Sequence, residues 1–145
     1  MAAQGPGIFE NDAARDFLTE LRGADPTDVG NIVSGALRKV AQAEQPLEVT
    51  HVQEALVAMA LLLSEYDESV LTGAPDAETL APWFARLEVE LNPARRQIAL
   101  GAIGRILLPA DNGWYDLWSS AEGGEAATAA VVRLREELAD SAVED

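Results

Sequence analysis

Apolar residues recur along this chain at three- and four-residue spacing, and glycines and prolines cut that rhythm into blocks. After an irregular entry over residues 1–8 that contains Gly5-Pro6-Gly7, the residues Ala13, Ala14, Phe17, Leu18 and Leu21 predict a first helix with Gly23 as its stop. Asp25-Pro26-Thr27-Asp28 reads as a cap, a first-turn proline and an acid at the positive end of the dipole. The stripe Val29, Ile32, Val33, Ala36, Leu37, Val40 follows and predicts a second helix that ends by Pro46. Leu47-Glu48-Val49 reads as a short extended link. Thr50 and Gln53 have capping-box spacing, so a third helix is expected from about His51 to about Tyr66.

The second half continues the pattern. Residues 69–76 read as a loop, with Asp76 able to cap a fourth helix that carries Leu80, Trp83, Phe84 and Leu87. Pro82 either lies in the first turn of that helix or kinks it. Asn92-Pro93 opens a fifth helix through Ile98, Ala102, Ile103, Ile106 and Leu107, ended by Pro109. Gly101 and Gly104 weaken it by propensity, which points to close approach of a neighbouring helix. Asp111-Asn112-Gly113 is a turn. Trp114, Leu117 and Trp118 share one face of a short sixth helix, Gly123-Gly124 breaks the chain, and a last helix from about Glu125 to about Asp140 turns Ala127, Val131, Leu134 and Leu138 inward. No segment alternates with period two and no hairpin signal separates two strand-like runs. The expected fold is all-α: a compact single-domain bundle of six to seven short helices over residues 1–145, with 141–145 a loose acidic tail.

Composition narrows the function. The chain is 145 residues long and 48% apolar, enough for a packed core. Its 25 acids and 10 bases give a net charge of −15, which argues against nucleic acid and anionic lipid as partners. The absence of cysteine excludes disulfides, thiolate metal sites and cysteine nucleophiles. The longest apolar run, Ala55 to Leu63, is too short for a bilayer span, and the N-terminus has no basic region leading into an apolar core. A cytoplasmic location with no membrane partner is therefore expected. Phosphate-loop, dinucleotide and nucleophile-elbow motifs are missing. Any Ser-His-Asp triad would need His51, the one histidine, at a helix start where the dipole opposes its protonation.

The candidate chemistry lies in two places. Glu10, Asp12 and Asp16 form an acidic group in which Asp12 and Asp16 share a helix face, so a carboxylate site for Ca²⁺ or Mg²⁺ is one reading. The other reading of Asn11 and Asp12 is a helix cap. Phe9 can pin the entry segment to the core. Trp114 and Trp118, after the Asn-Gly turn, are candidate pocket walls.

The string Gly5-Pro6-Gly7-Ile8-Phe9-Glu10-Asn11-Asp12, followed by Ala14 and Asp16, resembles the opening of the bacterial domain-of-unknown-function family 4259. Its members open with a Gly-x-Trp-Gly-x-Gly-x-Phe-Asp/Glu-Asn-Asp pattern, then Ala and Asp. Leu117-Trp118 and Val132-x-Leu134-x-x-x-x-Leu138 extend the resemblance along the chain. Ala2, Gln4 and Ile8 depart from the family's usual Gly, Trp and Pro, and the region around Ala60 lacks the family's acid. The resemblance implies fold and boundaries and brings no activity with it. Three functional readings follow: a non-enzymatic interaction module, immunity-like or regulatory, for a basic protein partner; a carboxylate metal-binding protein or small metal-dependent hydrolase centred on Glu10, Asp12 and Asp16; and a small-molecule binding module with a Trp114/Trp118 pocket.

Overall fold

A helix with no polar face has to lie where no side meets water. In a computed structural model of the protein, which describes residues 7–74 and 76–141, seven helices surround or form that arrangement. They are α1 (Asp12–Gly23), α2 (Val29–Ala41), α3 (Val49–Leu63), α4 (Ala77–Arg86), α5 (Pro93–Ile106), α6 (Gly113–Ser119) and α7 (Gly124–Ser141). Every residue of α3 from Ala55 to Leu63 is buried. Helices α1, α2, α5, α6 and α7 all touch it, so it is the axis of the bundle. Burying each of its large side chains stabilises the fold by about 1.5–3 kcal/mol relative to exposure. The described residues contain no strand beyond one isolated parallel bridge, Leu47 to Asn112, and the fold is all-helical as the periodicity predicts. No helix among the described residues is long and apolar enough to cross a membrane.

Several starts form as the sequence predicts. The Asn11 Oδ1 accepts from Ala14 N at 2.7 Å and caps α1. The Asn92 Oδ1 accepts from Arg95 N at 2.8 Å, with Pro93 in the first position of α5. Other starts differ. Asp25 caps a separate 3-10 turn, Pro26–Asp28, through Thr27, and α2 begins only after it and ends at Ala41, ahead of Pro46. Helix α3 begins at Val49 after an extended Glu48, two residues ahead of His51, so the Thr50–Gln53 capping box does not form, and it ends at Leu63. His51 instead meets Glu48 in the first turn, Nδ1 to Oε2 at 3.3 Å. Asp76 stands at the cap position of α4 with a left-handed backbone (φ +53°) and no capping bond from its side chain. Pro82 is inside α4, which starts five residues before it.

The chain folds back on itself at two polar knots. Asn112 is 1% exposed. Its Nδ2 donates to the carbonyls of Ile106 (2.6 Å) and Leu108 (2.9 Å), closing the end of α5, while its Oδ1 accepts from Tyr115 N at 2.9 Å, opening α6. Leu47 N donates to Asp111 O (2.8 Å) and Gly113 N donates to Leu47 O (2.9 Å), so the link before α3 is tied to the same turn. A Cβ on Gly113 would fall 2.8 Å from that Leu47 oxygen, which is why glycine stands there.

The second knot joins the exit of α3 to α7. Asp67 accepts from Ser69 N (3.0 Å) and Ser69 Oγ (2.6 Å) and caps a 3-10 turn, Glu68–Leu71, within what the sequence suggests is open loop. Arg133 of α7 reaches Asp67 Oδ2 at 3.2 Å and Glu137 Oε1 at 3.2 Å. The acids after α3 are thus partly a cap, and Glu137 is a paired residue with only part of its surface in water. The Ser69 hydrogen bonds, reinforced by Glu137 and Arg133, hold the Asp67 carboxyl down at about 2. Burial, then the hydrogen bond and charge of Asp67, push Glu137 up against the pull of Arg133.

Gly101 sits 3.8 Å, measured from an added Cβ, from Ala41 Cβ of α2, whereas nothing lies within 4 Å of the same point on Gly104. The expected close helix approach therefore holds at Gly101 alone. Gly5, Pro6, Pro75 and residues 142–145 of the expected acidic tail lie outside the described residues.

Three outcomes are expected. Asn112→Ala removes a cap and leaves buried carbonyls unmatched, lowering unfolding free energy in a urea titration by about 2–4 kcal/mol. Gly104→Ala, on an open helical position, raises it by about 0.5–1 kcal/mol. Asp67, with a folded value below its ordinary 3.8, contributes stability that is present above 3.8 and lost as pH falls towards about 2. Thermal melts across that window should show Asp67→Asn losing less stability than the wild type.

Candidate functional site

The N-terminal hook forms around two small hydrogen-bonded loops. Glu10 N donates to Gly7 O at 3.1 Å and Glu10 Oε1 accepts from Gly7 N at 2.8 Å. Asn11 Nδ2 donates to Ile8 O at 3.2 Å while its Oδ1 caps α1. Phe9 is 1% exposed and joins the core between these anchors. Asp12 and Asp16 point into solvent from the first turns of α1, and Glu10 is likewise exposed. Among the described residues no group of three or more His, Cys, Asp or Glu side chains is placed to hold a metal ion, so Glu10, Asp12 and Asp16 do not converge.

What the hook does meet is the tryptophan pair. Trp114 and Trp118 are both buried, one turn apart on α6. Leu117, expected beside them, is 38% exposed. Behind the pair is a cavity of about 10 Å³, walled by Gly7, Ile8 and Asn11 of the hook, Gln53 and Leu56 of α3, Trp114, Trp118, and Ala127, Ala130 and Val131 of α7. That is room for about one water molecule. In front of the pair an open cleft of about 990 Å³ runs between α6 and α7 past Tyr115, Ser119, Ser120 and Thr128. Gly124 begins α7 so close to α6 that a Cβ would overlap Trp118 O. The third tryptophan, Trp83, is elsewhere: it packs on Phe84 and carries the Arg22 guanidinium 5.4 Å from its ring centroid.

Gln53 was not legible as a site residue. It is 5% exposed, and its side-chain amide makes no hydrogen bond with the described residues. The available signal was its place on the apolar side of α3, between Val52 and Leu56, where its Thr50 spacing suggested a cap instead.

A second cleft, of about 510 Å³, opens between the end of α3 and the end of α4. Its floor includes Leu62 and Phe84, and its rim carries Glu65, Glu68, Glu88 and Glu90 with no basic residue. All four are exposed, and none forms an ion pair among the described residues. Glu88 adopts a left-handed backbone (φ +56°), a conformation in which glycine is unstrained and a side chain with a Cβ is not. The sequence signals only the first half of this rim, because Glu65/Glu68 and Glu88/Glu90 come together only in the fold.

No curated protein and no solved structure matches the chain. A family model does, over residues 2–130, and with most of its length matched the chain belongs to the family described as Domain of unknown function (DUF4259).

Proposed function

We propose that the protein is a non-enzymatic binding module of the cytoplasm, immunity-like or regulatory, that engages a basic protein partner through the glutamate-rimmed cleft between α3 and α4. The observation that carries this reading is the set of four carboxylates, Glu65, Glu68, Glu88 and Glu90, that form no ion pair among the described residues and surround an apolar floor. An arginine or lysine side chain suits such a cleft: its aliphatic stem lies against Leu62 and Phe84 and its charged head meets the rim. The net charge of −15 adds long-range attraction that raises the rate of encounter. The alternative of a metal site on the hook has less support, because Glu10 closes a turn and Asp12 and Asp16 face solvent separately.

Calorimetric titration with an arginine-rich peptide tests the cleft. Replacing Glu65, Glu68, Glu88 and Glu90 together by glutamine should weaken binding by at least about tenfold, and added salt should weaken the wild type in the same direction. A control that removes the same charge from Glu20, Glu44, Glu122 and Glu136 should change affinity by less than about threefold. Equal losses in the two variants would assign the binding to diffuse charge and defeat the proposal.

A further inference from the structure

We propose that Asn112-Gly113 is a deamidation site that the folded chain silences and the unfolded chain exposes, and that the product does not regain the native fold. The chemistry is intramolecular. The Gly113 nitrogen gives up its proton to hydroxide and attacks Asn112 Cγ; an N–C bond forms, the Cγ–Nδ2 bond breaks, and ammonia leaves with a proton taken from water. The five-membered imide then adds one water at either of its carbonyls. One opening gives aspartate, and the other gives isoaspartate with the main chain routed through Cβ. The net change is an amide and a water converted to a carboxylate and an ammonium ion, with nothing oxidised or reduced. Glycine after the asparagine favours the attack, because no Cβ crowds its nitrogen. Residues 112 and 113 are the one Asn-Gly pair of the chain, which has no Asp-Gly pair.

The fold restrains both reacting groups. Asn112 Nδ2 donates to Ile106 O at 2.6 Å and to Leu108 O at 2.9 Å, and its Oδ1 accepts from Tyr115 N at 2.9 Å, so Cγ turns towards the Gly113 nitrogen only if the junction of α5 and α6 comes apart. Gly113 N donates to Leu47 O at 2.9 Å, so the proton that has to leave is engaged. Leu47, Asn112 and Trp114 are buried, which keeps hydroxide from the turn. The same contacts hold the reactive pair in place: the junction uses the donors of an asparagine, and a Cβ on Gly113 would fall 2.8 Å from Leu47 O. The products fit neither demand. Aspartate puts an oxygen where Nδ2 donated, facing the Ile106 and Leu108 carbonyls, and Arg105 beside the turn is already committed to Ala110 O (3.0 Å) and Asp111 O (2.9 Å). Isoaspartate lengthens the main chain by one carbon and displaces Gly113 N from Leu47 O. The turn shares no residue with the glutamate-rimmed cleft, so the two proposals stand or fall separately.

The test incubates the full chain in mildly alkaline buffer, with and without guanidinium chloride above its unfolding transition. Intact mass follows the conversion, and peptide mapping with detection of isoaspartate places it. The unfolded sample should convert at residue 112. The folded sample reacts only through openings of the core, populated at about 10⁻³ or less, so its conversion should be slower by at least about a hundredfold. In denaturant, where folding plays no part, Gly113→Ala should slow the reaction by at least about tenfold. Asn112→Asp, expressed directly, carries one product without exposure to denaturant, and it should fail to fold or melt at least about 8 °C below the wild type. A smaller ratio between unfolded and folded rates, an unfolded chain that keeps its amide at residue 112, or undiminished reaction in Gly113→Ala overturns the silenced site. A smaller melting shift in Asn112→Asp overturns the one-way character of the reaction.

Discussion

Helix α3 cannot be solvated on any side, and the positions of the other helices follow from covering it. Its run from Ala55 to Leu63 mixes small and large residues, so neighbours can approach closely at Ala55, Ala58 and Ala60 and interlock at Leu56, Met59 and Leu61. Helices α1, α2, α5, α6 and α7 all pack on it, and α2 also packs extensively on α5. Four of those five outer helices, α1, α2, α5 and α6, are 14 residues or shorter and are not expected to be stable alone. They gain their order from the rod that they cover.

Polar side chains then fix the arrangement that burial only makes compact. Arg95 reaches from α5 to Ser34 Oγ of α2 at 3.0 Å and to Glu90 O at 2.8 Å. Gly30 leaves the space its guanidinium needs, with a Cβ there 3.0 Å from Arg95 Nη2. Arg96, 6% exposed, donates from Nε to Ser141 Oγ at 3.1 Å and so joins α5 to the last turn of α7. Hydrophobic contact is tolerant of small shifts and rotations. These directed bonds are not, and they select one packing from the many that would hide the same surface.

Fold class was legible because helical periodicity and proline or glycine punctuation are local properties. Asn92-Pro93 and Asn11 cap as their spacing implies, since a cap needs only the residues within one turn. The misreadings share one cause: a tertiary contact overrode a local preference. Thr50 and Gln53 had the spacing of a capping box, but the bridge from Leu47 to the Asn112 turn sets where the chain enters α3, and Gln53 turns inward. Leu117 had the spacing to join the tryptophans, yet α6 is only 7 residues long and is covered on one edge. The site was half legible in the same sense. Hook and tryptophan pair were each visible as strings, while their meeting around Gln53, and the joining of Glu65 and Glu68 with Glu88 and Glu90, depend on chain segments far apart in sequence.

The bridge between Leu47 and the turn at Asn112 has a consequence for motion. It is the backbone seam at which the segment leading into the rod is fastened to the hinge between α5 and α6. The interior of α3 can expose its amides to exchange only when the whole bundle opens. The seam is itself buried, with Leu47 4% and Asn112 1% exposed, so it does not part while the helices around it stay packed. The amides of Leu47 and Gly113, which bond across the seam, are therefore expected to exchange as slowly as those of the α3 interior.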